Sequence, residues 1–268
     1  MDPIINYYTT TYDEQARFDN RYNQIEFITT MCYIEKYLHE VNEKTSAPRI
    51  LEVGAGTGRY SRAIADLCYI VDALELTPRN IDTFRSLITP TQSITLAQGN
   101  ALDLSRYADN TFDITLVLGP LYHLFTTADK HQCIAEAIRV TKPGGVIFAA
   151  YVISDMCIMD SGLRLARFDV ADYLKKGKID PYTFATTSIP DDVFEMCRKE
   201  DIDALMAPFN TKRLHYIATT LAARFLRDAL EEMPEERFAL YMHHHLAICE
   251  RPDMVGMTSH SLDVFRKQ

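Results

Sequence analysis

The sequence has no long run of Lys and Arg, no CxxC pair, no internal repeat and no low-complexity tract. It also has no apolar stretch near membrane length. The longest, Val146 to Ile153, holds eight residues, against roughly 20 for a spanning helix, so no membrane partner is expected. The opening segment MDPIINYYTTTYDEQARF lacks both a basic and an apolar region, which predicts no secretory signal. Cys32, Cys68, Cys133, Cys157, Cys197 and Cys249 each stand alone, mostly within apolar helix- or strand-like segments. They read as reduced core thiols of a cytoplasmic protein. With 28 basic against 37 acidic side chains the net charge is −9. An acidic chain without a basic run suits a nucleic-acid backbone poorly, so nucleic acid is not expected as a partner.

What remains is an ordinary soluble composition, 47% apolar and 24% charged. The length, 268 residues, allows one large domain or a core with a cap. Phe18, Tyr22, Ile25, Ile28, Cys32, Ile34, Tyr37, Leu38 and Val41 recur at three-to-four spacing and predict a long helix over 13–41. Short apolar runs predict strands at 49–53, 69–76, 93–98, 112–118 and 146–153. Helical spacing falls between them at 59–68, from Pro78 onward and at 128–140, and Lys142-Pro143-Gly144-Gly145 reads as a turn. Five alternations of this kind predict a doubly wound, mostly parallel α/β sheet. Beyond 153 the pattern weakens, with helices expected at 191–207, 220–232 and 235–250 and strands at 213–219 and 261–267. The chain then divides into an N-terminal lid and helix (1–48), a core (49–153), a cap insertion and helix (154–210) and a sheet completion with additional cap helices (211–268).

The informative segment is LEVGAGTGRYS, residues 51–61. Glycines at 54, 56 and 58 give GxGxG; a dinucleotide fingerprint needs a glycine at 59, where the chain has Arg59. Glu52 stands two residues before the first glycine. The segment resembles motif I of class I S-adenosylmethionine-dependent methyltransferases, which have a Rossmann-like fold. Three further stretches carry the resemblance: VDALEL (71–76), GNALDLS (99–105) and LGPLYHLF (118–125), the last followed by the RVTKPGG turn and fifth strand. GPLYHL is similar to a signature of bacterial small-molecule-type methyltransferases.

The resemblance implies S-adenosyl-L-methionine as cofactor; the helical cap after the fifth strand is expected from the excess length and aromatic content of the chain beyond 153. The resemblance also implies that Gly54, Ala55, Gly56 and Gly58 bring backbone close to the cofactor and that Glu52 receives its ammonium. Glu75, with Leu76 after it, would end the second strand and accept both ribose hydroxyls. Asp72 lies too early in that strand to do so. Asn100 stands where the family often has Asp, and its amide oxygen would accept from adenine while Ala101 offers its N–H. Leu118 and Gly119 would also contact the cofactor.

Methyl transfer is an in-line displacement at a carbon bound to a sulfonium, so the enzyme must hold the nucleophile in line and, where needed, remove its proton. His123, at the crevice, is the candidate base, with Tyr122 beside it closing over cofactor or acceptor. The same residues also suit binding or structural roles. Tyr7, Tyr8 and Tyr12 form an aromatic cluster suited to a lid that shields the cofactor, and Arg17 is a candidate partner for a carboxylate. His243, His244 and His245 are consecutive and cannot share one helix face, so no metal is expected. A small-molecule acceptor is favoured. RNA or protein methylation is the alternative, weakened by the lack of an NPPY-type signature, and a non-catalytic cofactor-binding protein is the third reading. The acceptor atom and the oligomeric state are left open.

Overall fold

A computed structural model of the chain describes residues 3–12, 14–15 and 20–268. Helix α1 (Pro3–Thr10) precedes the long α2 (Arg21–Asn42). Then follow β1 (Arg49–Val53), α3 (Arg59–Asp66), β2 (Ile70–Glu75), α4 (Pro78–Leu87), β3 (Ile94–Gln98), β4 (Phe112–Val117), α5 (Thr127–Val140) and β5 (Thr141–Val152). Beyond the fifth strand come α6 (Ser154–Cys157), a π-helix (Ile158–Arg164), α7 (Val170–Lys175), α8 (Lys199–Met206), β6 (Thr211–Ala218), a 3-10 helix (Leu221–Leu226), α9 (Arg227–Glu231), α10 (Glu235–Ile248) and β7 (His260–Lys267).

The seven strands form one sheet in the order β3-β2-β1-β4-β5-β7-β6. The first five are parallel, and β7 runs antiparallel between β5 and β6. This is the expected doubly wound sheet. Its central strands are buried on both faces, as a covered parallel sheet requires. Ile50, Ile114, Leu116 and Phe148 pack beneath Ile34, Leu38 and Val41 of α2 and Ile64 of α3. Val117, Ile147, Ala149 and Phe265 face the opposite way, against Ile134 and Ala137 of α5 and Ile202 and Leu205 of α8. No helix of the described residues is long and apolar enough to cross a membrane.

Several local expectations change. The long helix begins at Arg21, not at 13: Asn20 accepts from the Asn23 N–H at 2.9 Å and caps it. Phe18 lies outside the described residues. The KPGG segment is not a turn between helix and strand but part of β5, where the register against β4 shifts between Phe112 and Ile114. Gly144 takes φ +76° in this bulge, and Lys142 reaches back to Asp113 at 2.8 Å. Of the helix expected over 191–207, only Lys199–Met206 is α-helical. Of the six unpaired cysteines, Cys133, Cys157 and Cys249 are buried, but Cys32 and Cys68 are exposed and are not core thiols.

Candidate functional site

The carboxyl ends of β1 to β4 and the loops leaving them enclose a cavity of about 270 Å³. The loop after β1 turns through three residues with positive φ, Gly54, Gly56 and Gly58. The tightest requirement is at Gly58, where φ is +78° and an added Cβ would stand 2.1 Å from the ring of the fully buried Phe84. This loop ends at α3 and leaves Gly54, Ala55, Gly56, Thr57 and Arg59 on the cavity wall.

Glu75 is buried at the end of β2. Its Oε2 accepts from the Gly56 N–H at 2.9 Å, and its Oε1 from the Thr77 N–H at 2.9 Å and from Asn80 Nδ2 at 3.3 Å. The carboxylate therefore ties the glycine loop to the start of α4 while facing the cavity. Asp72, set aside on position, instead pairs with Arg49 at 2.8 Å.

Glu52 also lines the cavity, and both the N–H and the hydroxyl of Ser61 donate to its Oε2. Burial pushes its carboxyl up to about 8; the Ser61 hydrogen bonds pull the other way, and the nearby Glu75 and Glu14 add to the rise. Leu76, Ala101, Leu118 and Gly119 line the same cavity. So does Asn100, but its Oδ1 accepts from the Leu102 N–H at 3.0 Å, so the expected adenine acceptor is already engaged in a local turn.

His123 sits in the short 3-10 segment after β4. Its Nδ1 lies 2.7 Å from the Val193 carbonyl and its Nε2 3.0 Å from the Tyr8 hydroxyl. A carbonyl only accepts, so Nδ1 carries the hydrogen and in the neutral ring Nε2 is left as acceptor for Tyr8. Tyr122 donates its hydroxyl to the Leu118 carbonyl at 3.1 Å. That bond fixes its ring as a wall and weighs against an acid–base role for its oxygen.

A second cavity, about 840 Å³, lies beyond Tyr8 and Tyr122, which line both. Tyr7 stacks on Tyr12 at 5.5 Å between centroids and meets Phe194 edge-on at 5.6 Å. Tyr12, expected beside the cofactor, lines the second cavity and not the first. The reason is its partner, since stacking on Tyr7 draws it toward Phe194. Arg17 lies outside the described residues. Arg79 of α4 donates to the carbonyl of Thr9 at 2.9 Å and anchors α1 over the site.

Sequence reasoning did not single out Glu14, Thr57, Tyr60 or Asn80 in the smaller cavity, or Arg224 and Arg227 in the larger. Asn80 had a usable signal, a polar residue in the first turn of the helix that follows Glu75. Glu14 and Arg224 had none.

Residues 51–149 match a family model described as a methyltransferase domain. A segment of 116 residues is 31% identical to chondramide synthase of Chondromyces crocatus, covering 42% of this chain and 3% of that one. A segment of 101 residues is 32% identical to a demethylmenaquinone methyltransferase of Tropheryma whipplei, covering 38% and 40%. The chain thus spans well under two thirds of these relatives. Among solved structures it is similar to a SAM-dependent methyltransferase of Methanosarcina mazei, with TM-score 0.56, 16% identity and coverage of 88% and 96%. That likeness is one of fold: Rossmann-like, with a seven-stranded, mostly parallel sheet.

Proposed function

With residues 51–149 belonging to a methyltransferase domain, we propose that the chain is an S-adenosylmethionine-dependent methyltransferase acting on a small molecule. The observation that carries this reading is the junction of two cavities at a Tyr8–His123 pair, directly above a glycine loop held by Glu75. The smaller cavity fits the cofactor. Glu75 offers a buried carboxylate for the ribose, Glu52 a buried carboxyl for the ammonium, and the glycine loop an approach without side chains. When bound, S-adenosylmethionine supplies a methyl carbon made electrophilic by its sulfonium.

The chain's own residues do the rest. Tyr122 and Tyr8 narrow the passage between the cavities and keep water from the transfer point. An acceptor hydroxyl or ammonium in the larger cavity gives its proton to the Tyr8 oxygen as Tyr8 passes its own to His123 Nε2. The Val193 carbonyl, bonded to Nδ1–H, steadies the imidazolium that results. The aromatic lining of the second cavity, from Tyr7, Tyr12, Tyr122 and Phe194, supports a small flat acceptor over a polymer. The relatives point the same way, one named for demethylmenaquinone methylation and one named a chondramide synthase.

Calorimetry with S-adenosylhomocysteine and with NAD tests the cofactor assignment. Binding of the first alone is expected, and binding of NAD alone would overturn it. A screen of small metabolites with methyl-labelled cofactor, read by mass, then identifies the acceptor.

A further inference from the structure

The second cavity has a polar floor. Asp160, fully buried on the π-helix, is flanked by Arg164, by Arg224 Nε at 2.9 Å and by an Arg227 terminal nitrogen at 3.1 Å. One carboxylate thus serves three guanidiniums. Arg224 is the most buried of the three, and it faces the cavity. Its Nε–H has no aligned acceptor despite the ion-pair distance. Its two terminal nitrogens reach only neutral groups, the Cys157 thiol at 3.5 Å and the Ser161 hydroxyl at 3.4 Å. A buried guanidinium so weakly satisfied is costly unless an anion completes it.

The acids on the same cavity do not fill that role. Asp192 pairs with Lys178. Glu26 faces His260 at 3.8 Å. Asp228 and Glu231 stand at the exposed rim, and Glu231 takes the Arg21 N–H at 2.7 Å. Cys157, beneath Arg224, shares one buried cluster with Tyr122 and Val152. Arg224 thus meets Tyr122 through Cys157 and this cluster, not directly.

Resting on the methyltransferase reading, we propose that the acceptor carries a carboxylate that seats on Arg224 as a handle, away from the atom that receives the methyl group. Of the buried and half-buried cations on this cavity, Lys178 is neutralised by Asp192 and Arg227 is shared with Asp160, so the Arg224 fork beside the Ser161 hydroxyl is left to suit a planar monoanion. Glu26 within the cavity and Asp228 and Glu231 at its rim disfavour a dianion. The rings of Tyr7, Tyr12 and Phe194 above it suit an aromatic or otherwise flat body.

The test uses the full chain saturated with S-adenosylhomocysteine. It is titrated with hydroxy- and aminoaryl carboxylic acids, each paired with its carboxamide, beginning with 4-hydroxyphenylacetate and 4-hydroxyphenylacetamide. Acids should bind about tenfold or more tightly than their amides. Arg224→Gln should abolish that preference while binding of S-adenosylhomocysteine persists, and Arg224→Lys should keep part of it. The proposal is overturned if acids and amides bind alike, if no acid binds, if phenyl phosphate outcompetes the acids, if Arg224→Gln retains the preference, or if turnover of an acid with methyl-labelled cofactor gives a carboxyl methyl ester. Failure to bind S-adenosylhomocysteine would instead remove the methyltransferase reading itself.

Discussion

The two cavities meet at Tyr8 and Tyr122 but are built from different material. The smaller is walled by loops leaving four neighbouring strands, and much of that wall is backbone fixed by sheet register. The larger is walled by side chains from α1, α2, the segment 157–196, and the 3-10 helix and α9 around 224–231. A backbone wall cannot be reshaped without disturbing the sheet, whereas a side-chain wall can be recut one residue at a time. A constant reagent in the first and a divergent acceptor in the second would exploit that difference.

The sharpest way to break the comparison is at the junction. His123→Asn should lower turnover by about 10²–10⁴-fold, the usual worth of a positioned base, with binding of S-adenosylhomocysteine little changed. Tyr8→Phe should act in the same direction. Steady-state rates alongside calorimetry would show this, and a variant that loses cofactor affinity instead would make the pair part of the first cavity alone.

Next in size is Gly58→Ala. The left-handed backbone and the clash with Phe84 should together cost about 2–4 kcal/mol of stability. Thr187→Ala, on the wall of the larger cavity, should stay within about 0.5 kcal/mol. Denaturant melts of the two variants would compare the walls directly, and equal effects would contradict the distinction.

Glu75→Ala should weaken S-adenosylhomocysteine binding by about 1.5–3 kcal/mol. It should also lower the melting temperature of the free protein, because the Gly56 and Thr77 N–H groups lose their acceptor. Binding of acceptor analogues should hold.

A pH dependence is expected at Glu52. Its folded-state pKa, about 8, lies above the ordinary value of 4.5. The stability this gives is fully present below 4.5 and is lost as pH rises through 8. Thermal melts from pH 5 to 9 should therefore show Glu52→Gln gaining on the native protein up to about pH 8, with the difference between them constant above that. Between pH 7 and 8 the gain is at most about 1.4 kcal/mol. In the native protein, cofactor binding near pH 7 should release a proton, measurable by calorimetry in buffers of different ionisation enthalpy.

The smaller cavity was legible because its parts are short, local and conformationally demanding. Glycines at 54, 56 and 58 and an acid at the end of β2 can be read without knowing what packs where. The larger cavity was not, since no period or spacing links Tyr12, Cys157, Phe194 and Arg224. Local propensity also misled in two places. Pro143-Gly144-Gly145 suggests a turn, but pairing with β4 absorbs the extra residues as a bulge. Val193 and Phe194 looked like the start of a helix. Instead Val193 takes φ +65°, Phe194 joins the tyrosines, and the Val193 carbonyl meets His123.

Strand β7 carries a consequence for how the molecule is assembled. It lies between β5 and β6, so β6 reaches the sheet only through a strand made after it, once residues 219–259 have been synthesised. On the ribosome β6 waits as a strand without a ladder, exposed to pairing with other chains. Val264 and Phe265, on opposite faces of β7, then act as a keystone set late, joining the outer strand and both helical layers to the sheet in one event.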